Sequence, residues 1–381
     1  MENNFSEINE LYDEYEDLDY QDVMDEETKN FGAMKRFSDT LKELKNVVVG
    51  QDDAVRDILN SVYDSLYYGV KPNINFIVGG SGTGKTLTFK TLSKLLDVPV
   101  ALEFATGLSE TGYVGRNIDE MLVHLLENSK QFDPKNRVNV ALAENGILII
   151  DEIAKKITRG TQPVGRDVSG RGVLEGLLPI LNGDIVPVTY KDTINYMGQL
   201  ISEEKTIMFD TRNLTIFLVD ACIGLKEIRE KRCGEKIPLG FGLTKKSKES
   251  CIKSYTESDL IELGFTNEFV GRISYNIIEF QKATLDSLAR IVRDSHVSPL
   301  LDRKRQYAKY GIKLEWYDSI YYDIALETSR MCNQIGARAL FKVVNKIFRE
   351  ITPLISDHGS GFNKIELKEG ILKDPSKFEV S

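Results

Sequence analysis

Short, solid apolar runs alternate along this chain with segments whose apolar positions recur every three and four residues. Residues 36–46 and 52–68 carry the three-and-four spacing, which predicts two helices. Asn75-Phe76-Ile77-Val78 is an apolar run closed by glycines and predicts a buried strand, followed by a helix over Thr86–Leu96. Further strands are predicted at Val98–Glu103, Gly146–Ile150 and Leu214–Val219. Strands with no polar face, separated by helical segments, indicate an α/β fold with a parallel sheet sandwiched by helices. The stretches 158–172, 184–212 and 231–258 are rich in Gly, Thr, Arg, Lys or Ser and read as long exposed loops. From Leu285 to about Ile351 the helical period returns, which predicts a smaller, mainly helical second domain. The boundaries read from this pattern are a tail over 1–32, a large domain over 33–276 and a small C-terminal domain over 277–381.

Charge changes the picture at the N-terminus. Residues 1–30 hold twelve Asp and Glu against one Lys, and few aliphatic residues. Such a segment buries too little apolar surface to offset the entropy of ordering, so it reads as a disordered acidic tail. The net charge is −9, and outside this segment the chain is close to neutral. A basic footprint for nucleic acid is missing. No apolar run approaches the ~20 residues that span a bilayer, and no secretory signal pattern opens the chain. A cytoplasmic protein is the simplest expectation. The four cysteines (Cys222, Cys233, Cys251 and Cys332) are scattered without a Cys-x-x-Cys pair, which argues against a zinc site or a disulfide framework.

The candidate chemistry begins at Gly79-Gly80-Ser81-Gly82-Thr83-Gly84-Lys85-Thr86-Leu87, placed between a predicted strand and a predicted helix. Glycines let the backbone wrap a phosphate closely, and the helix N-terminus adds convergent N–H donors. Lys85 supplies a point charge for β- and γ-phosphates, and the Thr86 hydroxyl can ligate Mg²⁺. Asp151 and Glu152 close the strand over Gly146–Ile150. In company with the upstream loop, Asp151 reads as a metal-holding carboxylate and Glu152 as the general base that activates water. The expected cofactors are therefore ATP and Mg²⁺, and the expected activity is ATP hydrolysis. Arg272, after Glu268-Phe269-Val270-Gly271, and Arg338, after Gly336-Ala337, are candidates for offsetting charge on the transferred phosphoryl group, although on sequence alone each reads first as a surface or salt-bridge arginine.

Several motifs in shared order over roughly residues 45–350 make the chain resemble the ClpX-type AAA+ unfoldases. Val48-Val49-Gly50-Gln51 resembles the segment beside the adenine, which gives Val49 a nucleotide-binding role. Glu110-Thr111-Gly112-Tyr113-Val114-Gly115 resembles the pore loop. Arg166-Asp167-Val168-Ser169-Gly170 resembles a further signature of that family, Glu268-Phe269-Val270-Gly271-Arg272 the arginine-finger segment, and Gly336-Ala337-Arg338 the sensor-2 segment. The resemblance implies a homo-hexameric ring in which Arg272 acts across a subunit boundary and Arg338 within its own subunit. It implies that Tyr113 and Val114 grip unfolded or tagged protein substrates, with Arg159 and Arg166 in a second pore loop. Leu239-Gly240-Phe241, set in a Lys/Ser-rich stretch, matches the tripeptide that docks on a ClpP-like peptidase.

The chain also departs from that pattern. The family's zinc-binding N-terminal domain has no counterpart, its Arg-Lys-His loop is not found in 184–212, and its paired glycines after the sensor-1 strand are replaced by Val219-Asp220. Arg272 is not followed by Leu-Pro. Two other expectations stay open: a remodelling chaperone without a peptidase partner, and a nucleic-acid-associated AAA+ ATPase, which the acidic balance disfavours.

Overall fold

In this computed structural model, residues 36–108, 117–157, 170–196, 199–234, 254–274, 277–358, 361 and 363–381 are described. The central sheet is built from β1 (Asn73–Gly79), β2 (Val100–Phe104), β3 (Ile147–Asp151), β6 (Thr215–Asp220) and β7 (Ile278–Phe280), in the order β2-β3-β6-β1-β7. Every neighbouring pair in it is parallel. All residues of β1, β3 and β6 are buried, because helices cover both faces of the sheet. On one face Phe76, Leu148, Ile150, Ile216 and Leu218 join a core with Met121, Leu122 and Leu125 from the helix Glu120–Ser129. On the other, Phe217 meets Phe89 of the helix Lys85–Leu95 with ring centroids 5.0 Å apart.

The parallel arrangement fixes where chemistry can gather. β1, β3 and β6 run alongside one another, with Ile77 beside Val219 and Asp151 beside Val219 in register. Their C-terminal ends, Gly79, Asp151 and Asp220, therefore lie along one edge of the sheet. This is where open α/β sheets bind ligands.

Four predicted strands are present, with ends displaced by one or two residues. β7 escaped prediction because three residues carry too little periodicity, and its pairing with β1 carries the main sheet beyond the boundary read at 276. The stretch 184–212 is not an irregular loop. It forms the antiparallel ribbon of β4 (Ile185–Tyr196) and β5 (Gln199–Asp210), in register from Ile185↔Asp210 to Tyr196↔Gln199. Its inward positions near the base are apolar: Val186, Val188 and Tyr190 on one strand, Ile207 and Phe209 on the other. Polar cross-strand contacts interrupt this pattern: Thr189–Thr206 at 2.8 Å and Lys205–Asp192 at 2.7 Å, with Lys191↔Glu204 and Asp192↔Glu203 in register past Tyr190. That polar composition hid the alternation.

The C-terminal part has its own core of Leu288, Val292, Leu300, Leu314, Ile324, Leu340, Val344 and Ile365 among others. It is helical over Leu285–Asp294, Pro299–Ala308, Ile320–Ile335, Ala339–Ile347 and Ile351–His358. It also contains a three-stranded sheet of β8 (Lys313–Trp316), β9 (Lys364–Leu367) and β10 (Phe378–Val380), a feature the periodicity did not predict. These strands hold three or four residues each, and β8 pairs with β9 across some fifty residues of chain. Among the described residues no helix is long and apolar enough to cross a membrane.

Candidate active site

The loop after β1 turns into the helix Lys85–Leu95 through glycines in the left-handed region, Gly82 at φ 73° and Gly84 at φ 107°. A β-carbon on Gly79 would lie 2.6 Å from Phe280 Cβ, so β7 leaves room only for glycine. The Lys85 ammonium donates to the carbonyl oxygens of Gly79 and Gly80, the latter at 3.0 Å. Lys85 is buried, and burial holds its pKa below the ordinary lysine value, opposed by the negative charge of Asp151 and Asp220.

Asp151 closes β3 and is also buried, which raises its pKa. The Glu152 N–H (2.8 Å), the Lys85 charge and the Thr86 hydroxyl (3.3 Å) act the other way. Thr86 Oγ1 and Asp151 Oδ2 are therefore hard oxygen donors brought together from a helix start and a strand end. A carboxylate plus a hydroxyl suits Mg²⁺, which takes few protein ligands and completes its shell with phosphate and water. Glu152 is a non-glycine residue at φ 63°, ψ 32°. Its carboxylate pairs with Lys155 at 2.8 Å and accepts from the Thr106 hydroxyl at 3.4 Å.

The C-terminal part closes on this loop through backbone. The turn Gly336–Arg338 precedes the helix Ala339–Ile347, and the Ala337 N–H donates to the Gly82 carbonyl at 3.2 Å. A β-carbon on Gly336 would stand 2.2 Å from the Ser81 carbonyl oxygen. A second seam lies nearby: the Ser295 hydroxyl donates to the Val47 carbonyl at 2.8 Å and the His296 N–H to the Asn46 carbonyl at 2.9 Å.

These contacts enclose a cavity of about 910 Å³. Val49, Ser81–Leu87, Asp151, Glu152 and Arg338 all line it, alongside an apolar end formed by Val48, Ile291, Val297, Leu340 and Phe341. One end thus offers apolar walls for a flat base, the other N–H donors, Lys85 and the carboxylates of Asp151, Glu152 and Asp220 for a metal-bound polyphosphate.

Arg272 is not part of this constellation. It follows the short helix Asn267–Val270, is exposed, does not line the cavity, and its guanidinium bonds to no other described residue. Tyr113, Val114, Arg159, Arg166, Leu239, Gly240 and Phe241 lie outside the described residues. Among the described residues no group of three or more His, Cys, Asp or Glu could hold a metal ion.

Sequence reasoning named Gln51 only within the segment beside the adenine, with no role of its own, and left Asp220 without a role. The Gln51 amide donates to the Thr83 carbonyl at 3.2 Å and the Gln281 carbonyl at 2.8 Å, and accepts from the Gln281 N–H at 2.9 Å, tying the phosphate loop to the residue after β7. Asp220 lines the cavity and accepts two backbone N–H bonds. The signal for Asp220 was available: an acidic residue ending a solid apolar strand, as Asp151 does.

Comparison with known proteins agrees with this geometry. A family model described as AAA domain (Cdc48 subfamily) matches residues 71–276. The chain therefore belongs to the AAA family of ATPases, as a divergent member of ClpX type. A relative in Wolinella succinogenes named "ATP-dependent Clp protease ATP-binding subunit ClpX 2" is 34% identical over 278 residues, which is 73% of this chain and 64% of that protein. Relatives named ATP-dependent Clp protease ATP-binding subunit ClpX are 30% identical in Bacteroides thetaiotaomicron and 31% in Porphyromonas gingivalis. Those two matches each cover 87% of this chain, and 81% and 80% of the respective relatives.

Proposed function

We propose that the chain is the ATP-driven subunit of a homo-hexameric protein unfoldase that threads polypeptides through a ring pore and delivers them to a ClpP-like peptidase. The observation that carries this reading is the contact of the Gly336–Arg338 turn with the phosphate loop. It lets a change at the nucleotide move the C-terminal part against the main sheet.

Thr86 and Asp151 would hold Mg²⁺, which when bound neutralises charge on the β- and γ-phosphates. Lys85 places its ammonium at the same phosphates. Glu152 orients the attacking water and takes its proton as the water oxygen bonds to the γ-phosphorus and the bond to the β-phosphate oxygen breaks. Arg338 offsets charge from within the subunit. Arg272, exposed and away from its own cavity, does so for a neighbouring subunit, which requires a ring. Tyr113 and Val114 press on the translocating chain, where an aromatic ring and a β-branched side chain grip without reading sequence. Leu239-Gly240-Phe241 docks the peptidase.

The test is unfolding of a fluorescent reporter protein carrying an unstructured tail, with Mg²⁺ and ATP. The parent should extinguish fluorescence, and Tyr113→Ala should hydrolyse ATP without doing so. Equal unfolding by both proteins removes the pore-grip assignment. Pull-down of a ClpP peptidase by the parent and not by Phe241→Ala supports delivery. Binding by neither favours a remodelling chaperone.

A further inference from the structure

We propose that Asp220 is a positioning residue for ATP hydrolysis, clamping the turn that presents Glu152 onto the end of the neighbouring strand. The inference rests on Glu152 acting as the general base.

Asp220 is the last residue of β6, next to β3 in the sheet, and Val219 pairs in register with Asp151. Its carboxylate is buried and divided between two turns. Oδ2 accepts from the Ala154 N–H at 2.9 Å, and Oδ1 accepts from the Cys222 N–H at 2.6 Å. Ala154 lies in the short 3₁₀ turn Ile153–Lys156, which follows Glu152 directly. The N–H groups opening such a turn need an outside acceptor, and the residue at the cap position, Glu152, makes no capping bond with its own side chain. Asp220 supplies that acceptor from another strand.

What the clamp holds is strained backbone. Among the described residues three non-glycine residues adopt positive φ: Asn136 at 53°, Glu152 at 63° and Cys222 at 43°. Asp220 bonds to the Cys222 N–H itself and to an N–H two residues past Glu152. Left-handed conformations of this kind persist only where the surroundings over-determine them. A glycine, the resembled family's residue at this position, could bond to neither turn.

The charge of Asp220 has a second consequence. Asp220 lines the cavity that receives the phosphates. A carboxylate there opposes binding of a polyanion. Loosening the clamp should slow turnover while removal of the charge leaves nucleotide binding as strong or stronger, a split that general loss of fold would not produce. Asparagine keeps the shape but offers one acceptor oxygen, and must turn its NH₂ group toward one of the two N–H donors.

The experiment compares the full chain with Asp220→Asn, Asp220→Gly, Glu152→Gln and the Glu152→Gln/Asp220→Asn double variant. It measures kcat and KM for ATP, the Mg²⁺ concentration for half-maximal rate, and thermal unfolding. For Asp220→Asn, kcat should fall about 10- to 100-fold, the range typical of losing a partner that orients an active group. KM should not exceed the parent's, and the Mg²⁺ requirement should not change. The double variant should be no slower than Glu152→Gln alone, because both changes act through one group. A kcat for Asp220→Asn within threefold of the parent's overturns the proposal. So does a rise in the Mg²⁺ requirement, which would make Asp220 a metal ligand, or a further loss in the double variant. Asp220→Asn alone decides the matter if Asp220→Gly does not fold. Parental turnover by Glu152→Gln would instead sink the reading of Glu152. An inactive Glu152→Gln beside a fully active Asp220→Asn sinks only the clamp.

Discussion

Replacing Gly336 by alanine should damage catalysis by pushing the C-terminal part off the phosphate loop. At φ +62° an L side chain is strained whatever the space, at a cost of about 1 kcal/mol. The added β-carbon would also lie 2.2 Å from the Ser81 carbonyl oxygen and 3.0 Å from Gly82 Cα, well inside the 3.4 Å of ordinary contact. Both neighbours are backbone atoms, so no rotamer change relieves the clash. The segment must lift by about 1 Å, and the Ala337 N–H···Gly82 carbonyl bond is lost, a further ~1 kcal/mol. Together about 2 kcal/mol weighs against the arrangement that brings Arg338 to the cavity. At 1.4 kcal/mol per tenfold, kcat/KM for ATP should fall about 30-fold. Gly69 is the internal control: its φ is +63°, but a β-carbon there meets nothing within 4 Å. Gly69→Ala should lose about 1 kcal/mol of stability and no ATPase activity. Steady-state ATPase assays with denaturant unfolding of both variants decide the issue. Equal kcat/KM for the two variants would refute the steric argument.

Lys71 is largely buried, which pulls its pKa to about 8 from 10.5, while its ammonium donates to the Ser65 hydroxyl and the Asn213 carbonyl. Below pH 8 the folded and unfolded chains both hold the proton; between pH 8 and 10 the unfolded chain binds more, so stability rises with pH. The unfolding free energy of the parent should gain roughly 2 kcal/mol on Lys71→Met across that window, and a pH-independent difference contradicts the assignment. Arg232 pairs with the buried Asp259 through Nε at 2.8 Å and Nη2 at 3.0 Å. Arg232→Ala should cost about 3 kcal/mol in denaturant unfolding, because it strands a buried carboxylate; a loss under 1 kcal/mol would mean that the Thr256 bonds to Asp259 suffice.

What could be read in advance follows from how each signal is written in the chain. Phe76 and Ile77, Leu148 and Ile149, and Phe217 and Leu218 stand in solid apolar runs because both sheet faces are covered, so β1, β3 and β6 announced themselves. The phosphate loop was legible because its chemistry is local: glycines, Lys85 and Thr86 act within a few residues of one another. β7 and the C-terminal sheet were not legible, since their three- and four-residue strands gain meaning only through partners far along the chain. The β4–β5 ribbon was missed because its Lys, Asp, Glu and Thr positions read as loop, while the cross-strand backbone pairing that defines it from Ile185↔Asp210 to Tyr196↔Gln199 is not written in composition. Asp220 and Gly336 belong to the same class. Their identities were visible, but the contacts that make them consequential join Asp220 to Ala154 and Gly336 to Ser81 across the fold.

The account turns on Glu152 as the base in a site assembled from the phosphate loop, Thr86 and Asp151. The most direct measurement is ATP binding and turnover by the parent and Glu152→Gln under saturating Mg²⁺. The account predicts parental affinity for ATP in the variant and a turnover lowered by about 10²-fold or more. Turnover by Glu152→Gln at the parental rate would contradict it.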